Sequence, residues 1–93
     1  MHIGSLEIVL ILGEGSSLKE KRSVIRSMIV SARQKFNISI AEVDDLDKWQ
    51  RATIACVCVS KDATFVNQVL DKTLDFIESN PNVSVVDVHM EIF

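Results

Sequence analysis

The stretch "FNISIAEVDDLDKWQRATIACVCVS", residues 36–60, decides how this chain folds. Phe36 to Val43 alternates apolar and polar residues at the two-residue period of a strand. Arg51 to Ser60 is a β-branched and aliphatic run, apolar enough for the centre of a sheet. Between them lies the acidic turn "DDLDKWQ", so the two strands are expected to form a long hairpin.

On either side of that hairpin the period changes to that of a helix. Upstream, Ser17 followed by Glu20 makes a capping box. It opens a helix from about Leu18 to Lys35, with Leu18, Ile25, Met28, Ile29, Ala32 and Phe36 at helical spacing. Downstream, Asp62 caps a second helix carrying Phe65, Val66, Val69, Leu70, Thr73, Phe76 and Ile77 on one face, and "SNPN" at 79–82 ends it. The outer segments are again strands: Ile3 to Leu12 before the break "GEGSS", and Val83 to Phe93 at the end of the sequence.

The order is therefore βαββαβ, an α+β arrangement of the ferredoxin-like kind, in a single domain spanning residues 1–93. Right-handed crossovers put both helices on one face of a four-stranded antiparallel sheet, with the first and third strands at its centre. Strand parity then sorts the two faces. Gly4, Leu6, Ile8, Leu10 and Leu12, with Ala52, Ile54, Cys56 and Cys58 and with Val86, Val88, Met90 and Ile92, are expected to face the helices. The opposite face carries Ile3, Val9, Ile11, Val57, Val59 and Val85. These six form an apolar patch with acidic edges that monomers seldom leave bare, and so a candidate dimer face.

Composition narrows the functional classes. With 47% hydrophobic and 25% charged residues, three Gly and one Pro, the chain is neither disordered nor of low complexity. No apolar run is long enough to span a bilayer and no signal-peptide pattern opens the sequence, so the expected location is the cytoplasm, without a membrane partner. Cys56 and Cys58, two apart on one strand, would sit about 7 Å apart at Cα, outside disulfide geometry, and read as small buried hydrophobes.

The feature that stands out is electrostatic. The net charge is −3, yet the first helix holds six of the ten Lys and Arg residues. At 100° per residue, Lys19, Arg22, Arg26 and Arg33 fall within roughly 60° of one another beside the apolar stripe, with Lys21 and Lys35 on its other flank. Such a stripe is either a solvated face or a contact for a phosphate backbone or an acidic partner. The central strands offer no aromatic on which bases could stack, so RNA contact would have to use the helix and loops.

Other candidate chemistry is thin. Asp44, Asp45 and Asp47 beside Trp49 lack the ligand spacing of a calcium loop. His2 and His89 point to opposite faces by parity, and "GEG" lacks the spacing of a phosphate loop. No nucleophile, base and orienting group converge, so no catalytic residue, metal or cofactor is expected and the chain reads as a non-enzyme.

The motifs "SLKEKR" (17–22), "FNISIAEVD" (36–44) and "WQRA" (49–52), in this order and spacing, resemble the YlxP-like family of small bacterial proteins of unknown function, over nearly the whole chain. Between Asp44 and Trp49 this sequence departs from the usual pattern at Asp45, Leu46 and Lys48. The resemblance implies a ferredoxin-like fold and genes that in some bacteria lie among those for translation initiation and ribosome maturation factors. It implies no activity. It carries over Arg22, Trp49, Gln50 and Arg51 as candidate contacts. Two readings stand side by side. One is a binding module, an accessory factor in translation or ribosome maturation, that meets ribosomal RNA or an assembly factor through Lys19, Arg22, Arg26 and Arg33, with Trp49, Gln50 and Arg51 contributing. The other is a structural or regulatory homo-oligomer with no nucleic-acid role, expected to be a homodimer, whose apolar sheet face meets its own copy while the basic stripe is merely solvated.

Overall fold

The computed structural model describes residues 1–13 and 17–93. The strand-to-helix turn expected at Gly13–Gly15 falls largely outside the described residues. The elements follow in the order β1 (His2–Leu12), α1 (Leu18–Lys35), β2 (Ser39–Asp44), β3 (Arg51–Ser60), α2 (Ala63–Glu78) and β4 (Val83–Ile92). The four strands make one sheet ordered β2-β3-β1-β4, with every neighbouring pair antiparallel. This is the ferredoxin-like α+β arrangement, with β1 and β3 inside.

Each helix begins where its cap lies. Ser17 stands in an extended conformation and its side chain accepts from the Glu20 N–H at 3.1 Å; Asp62 does the same for Thr64 at 2.9 Å. At the far end of α1, Arg33 and Lys35 complement the negative pole of the helix dipole.

The core lies between the sheet and the two helices. Leu6, Ile8, Leu10 and Leu12 of β1, Ile40 of β2 and Ala52, Ile54, Cys56 and Cys58 of β3 are buried against Ile25, Met28 and Ala32 of α1 and Val66, Leu70 and Ile77 of α2. The even-numbered positions of both central strands thus face the helices, as parity requires. The approach is closest at Gly4, where an added Cβ would stand 2.3 Å from Val66 Cγ1 and 2.7 Å from Leu70 Cδ1. Glycine at this point lets α2 settle directly on the β1 backbone.

β4 departs from simple alternation. Its register with β1 shifts between Val9 and Leu10: Ile8 pairs with Val88 and Val9 with Asp87, but Leu10 pairs with Val85 and Leu12 with Val83. The extra residue is Val86, a β-bulge, and it reverses parity along the strand. Val83 and Val85 therefore turn toward the helices, where Val83 is buried and Val85 packs against the core. Val85 does not belong to the open face on which the sequence placed it, and Val86, expected in the core, is exposed. Val88 and Ile92 lie on the helix side, yet at the sheet edge they remain partly exposed.

Candidate functional site

Helix α1 carries two kinds of basic side chain, separated by the side of the helix on which they fall. Lys19, Arg22 and Arg26 are exposed on its outer face, where they line a shallow groove with Ser23, Ser27, Val30 and Ser31. No acidic side chain among the described residues lies within ion-pair distance of these three. Arg33 continues the row and is also exposed, but one guanidinium N–H donates to the Ile40 carbonyl at 3.1 Å, which fastens the end of α1 to β2. Lys35 lies 5.1 Å from the centre of the Phe76 ring, a cation–π contact beside the edge-on pair Phe36–Phe76.

Lys21 behaves differently. It is fully buried, and its Nζ donates to the Asp45 carbonyl at 2.6 Å and the Leu46 carbonyl at 3.4 Å. It also lies 2.8 Å from Glu42 Oε2, an ion pair whose angle leaves that buried oxygen without a hydrogen bond proper. This ammonium ties the first turns of α1 to the β2–β3 turn. The sequence put Lys21 on the flank of the apolar stripe as a surface charge. On the wheel it stands between Met28 and Ala32, both buried, and that position was the available signal.

The β2–β3 turn is ordered around one carboxylate. Asp45 adopts φ 62°, a left-handed conformation that Asp tolerates better than most residues. Its Oδ1 lies 3.0 Å from Lys48 Nζ, and its Oδ2 accepts from Arg51 Nε at 3.1 Å and from the buried Thr53 hydroxyl at 2.9 Å. The Lys48 hydrogen bond above all, with Thr53 and Arg51, holds the Asp45 carboxyl below its usual range. Both of its oxygens are engaged by the chain's own donors.

Trp49 is half exposed in this turn. With Gln50, Arg51 and Ile11 it borders a shallow hollow, and the Gln50 carbonyl accepts from Leu12 N–H at 2.9 Å. Arg51 pairs across the sheet with Ile11, on the helix-free face. Because α1 meets the turn through Lys21, roughly 130° round the helix from the basic row, Trp49, Gln50 and Arg51 form a second locality and do not extend that row. Three stretches singled out in the sequence nevertheless meet here: Lys21 of "SLKEKR", Glu42 of "FNISIAEVD" and Arg51 of "WQRA".

The helix-free face divides into apolar and acidic halves. Ile3, Val57 and Val59 are 37%, 42% and 59% exposed, with Val9 and Ile11 half-buried between strands. Toward β4, Glu7 pairs with His89 and Val9 with Asp87. His89 Nε2 lies 2.6 Å from Glu91 Oε1; that hydrogen bond and charge, with Glu7 and Asp87 adding to them, push the imidazole pKa up. On the other face, burial raises the Cys56 thiol to about 11, with Cys58 adding to the rise, and burial also raises Cys58.

A family model described as "Protein of unknown function (DUF503)" matches residues 3–90. The uncharacterized protein YlxP of Bacillus subtilis (strain 168) is 34% identical over 91 residues, covering 98% of this chain and 99% of its own length. Among solved structures, a variant of SnoaB, a cofactor-independent oxygenase from Streptomyces nogalater, superposes with a TM-score of 0.53. It does so at 13% identity over 99% of this chain and 90% of its own. At that identity the likeness is one of fold. No helix among the described residues is long and apolar enough to cross a membrane.

Proposed function

The chain belongs to the DUF503 family of proteins of unknown function, and from that premise we propose a non-catalytic binding module that meets the phosphate backbone of RNA through the outer face of α1. The module would serve in the cytoplasm as an accessory factor in translation or ribosome maturation, a setting that the sequence resemblance suggests.

One observation carries this reading. Of the six basic side chains on α1, Lys21, Arg33 and Lys35 have partners in the chain, whereas Lys19, Arg22 and Arg26 have none among the described residues. Like charges at i,i+3 and i,i+4 repel by about 0.2–0.5 kcal/mol per pair, so folding gains nothing from this grouping. A polyanion would relieve the repulsion and release its own counterions. Serine hydroxyls that line the same groove beside the cations are further donors suited to phosphate oxygens.

Co-sedimentation with isolated ribosomal subunits tests the reading. Association at low salt that disappears at moderate salt, and that is lost with Arg22→Gln/Arg26→Gln, is the expected result. Absence of association at low salt, or association indifferent to salt, would defeat it.

Self-association through the helix-free face is a second reading, favoured by the exposure of Ile3, Val57 and Val59 on the side of the central strands that faces away from the helices. Light scattering at micromolar concentration should return twice the chain mass, and Val57→Glu should halve it. A monomeric wild type excludes this dimer.

A further inference from the structure

Around the exposed side of α1 two rows run in parallel. Lys19, Arg22, Arg26 and Arg33 form the first. Ser23, Ser27, Ser31 and Gln34, all uncharged and all exposed, form the second, roughly 100° further round the helix. Glu20 stands at the first-turn end of the second row, so the neutral stretch begins at Ser23. The groove they share is lined by Lys19, Arg22, Ser23, Arg26, Ser27, Val30 and Ser31, so its only apolar member is Val30 and it contains no aromatic ring.

We infer that this face recognises double-stranded RNA, the cationic row following one phosphate strand and the hydroxyl and amide row lying over the shallow groove against the 2′-hydroxyls. The inference rests on the RNA reading above and specifies its ligand. Three physical points favour a duplex over the alternatives. Single strands are held chiefly by stacking of bases on aromatic rings, worth about 1–3 kcal/mol per base, and this groove has none, leaving only the guanidinium planes of Arg22 and Arg26. A helix presents a rigid, straight line of charge, which suits a regular backbone and gives a flexible strand no surface to wrap. A 2′-hydroxyl both donates and accepts, as do serine and glutamine side chains, so the neutral row has a partner in RNA that DNA lacks. An acidic protein would match the first row and leave the second without purpose.

The test is a fluorescence-anisotropy titration of the full chain at low salt. The probes are a duplex RNA of about 16 base pairs, the DNA duplex of the same sequence and one unpaired RNA strand, with polyglutamate as competitor. The RNA duplex should bind more tightly than either other probe by about fivefold or more, the worth of one or two neutral hydrogen bonds. Ser23→Ala/Ser27→Ala, exposed changes that favour helix, should close the gap between RNA and DNA duplexes while circular dichroism stays unchanged. Equal affinity for the DNA duplex, or preference for the single strand, overturns the inference and leaves the RNA reading standing. Displacement of the duplex by polyglutamate at equal charge assigns the face to an acidic protein and overturns it too. Binding to none of the three probes overturns both this inference and the RNA reading.

Discussion

Replacing Lys21 by Met keeps the length of the side chain and removes the charge that joins α1 to the β2–β3 turn. Its ammonium is fully buried and serves Glu42, the Asp45 carbonyl and the Leu46 carbonyl together. Breaking one side of a buried ion pair costs about 3–5 kcal/mol because the remaining charge is left without a counter-ion. Here the Glu42 side chain retains 15% of its exposure, so water relieves part of that penalty and the lower end, about 3 kcal/mol, is expected. Set against the roughly 5–10 kcal/mol that stabilises a chain of this size, the change is large. Glu42→Gln leaves Lys21 its two carbonyls and should cost only about 1–2 kcal/mol. The double variant should be more stable than the sum of the singles implies, since the two share one contact. Urea unfolding followed by circular dichroism measures all three. If Lys21→Met costs less than about 0.5 kcal/mol, the level of an ordinary surface change, the buried strut is wrong.

Three further outcomes follow from the same geometry. Gly4→Ala puts a Cβ into Val66 and Leu70, and urea unfolding should show a loss of about 1–3 kcal/mol, as for other overpacked cores; an unchanged midpoint would mean that α2 does not rest on β1 there. Cys56, with its thiol pushed up to about 11, should resist iodoacetamide at neutral pH in the folded protein and react once unfolded, as mass spectrometry would show. Two groups should make stability depend on pH in opposite senses. Asp45, lowered below 3.8, contributes above that value and loses its contribution as pH falls through the lowered pKa, so Asp45→Asn should flatten the acid limb of the unfolding curve. His89, raised above 6.5, contributes fully below 6.5 and loses that contribution as pH rises through the raised pKa, which His89→Gln should abolish.

Most of the architecture was legible because the period of the sequence changes cleanly between elements. Arg51–Ser60 reads as a central strand and lies between β2 and β1, and the buried apolar residues of β1 and β3 all fall at even positions. Parity failed in β4. A bulge at Val86 reverses the face, and two adjacent valines give no sign of which one is extra. The candidate site was legible only on its outer side. Lys19, Arg22 and Arg26 could be placed from helical geometry alone, because exposed residues owe their position to their own helix. For Lys21 the wheel position between Met28 and Ala32 was a signal but not a decisive one, because a long aliphatic stem can carry its charge out to water or bury it, and the choice depends on partners in a turn 24 and 25 residues away. For the same reason the sequence showed Asp45 only as one of three clustered carboxylates without calcium-loop spacing. Its meaning comes from Thr53 and Arg51 on the neighbouring strand.

The central claim, that the row on α1 is the contact surface, is tested most directly by the salt dependence of RNA-duplex affinity for the wild type and for Arg22→Gln/Arg26→Gln. Three or four phosphate contacts predict a log–log slope of about −3 for the wild type, falling to about −1 to −2 in the variant. The urea midpoints should agree to within about 1 kcal/mol, because exposed charges contribute little to folding. Equal slopes for the two proteins at unchanged stability would contradict the claim and place the contact elsewhere on the molecule.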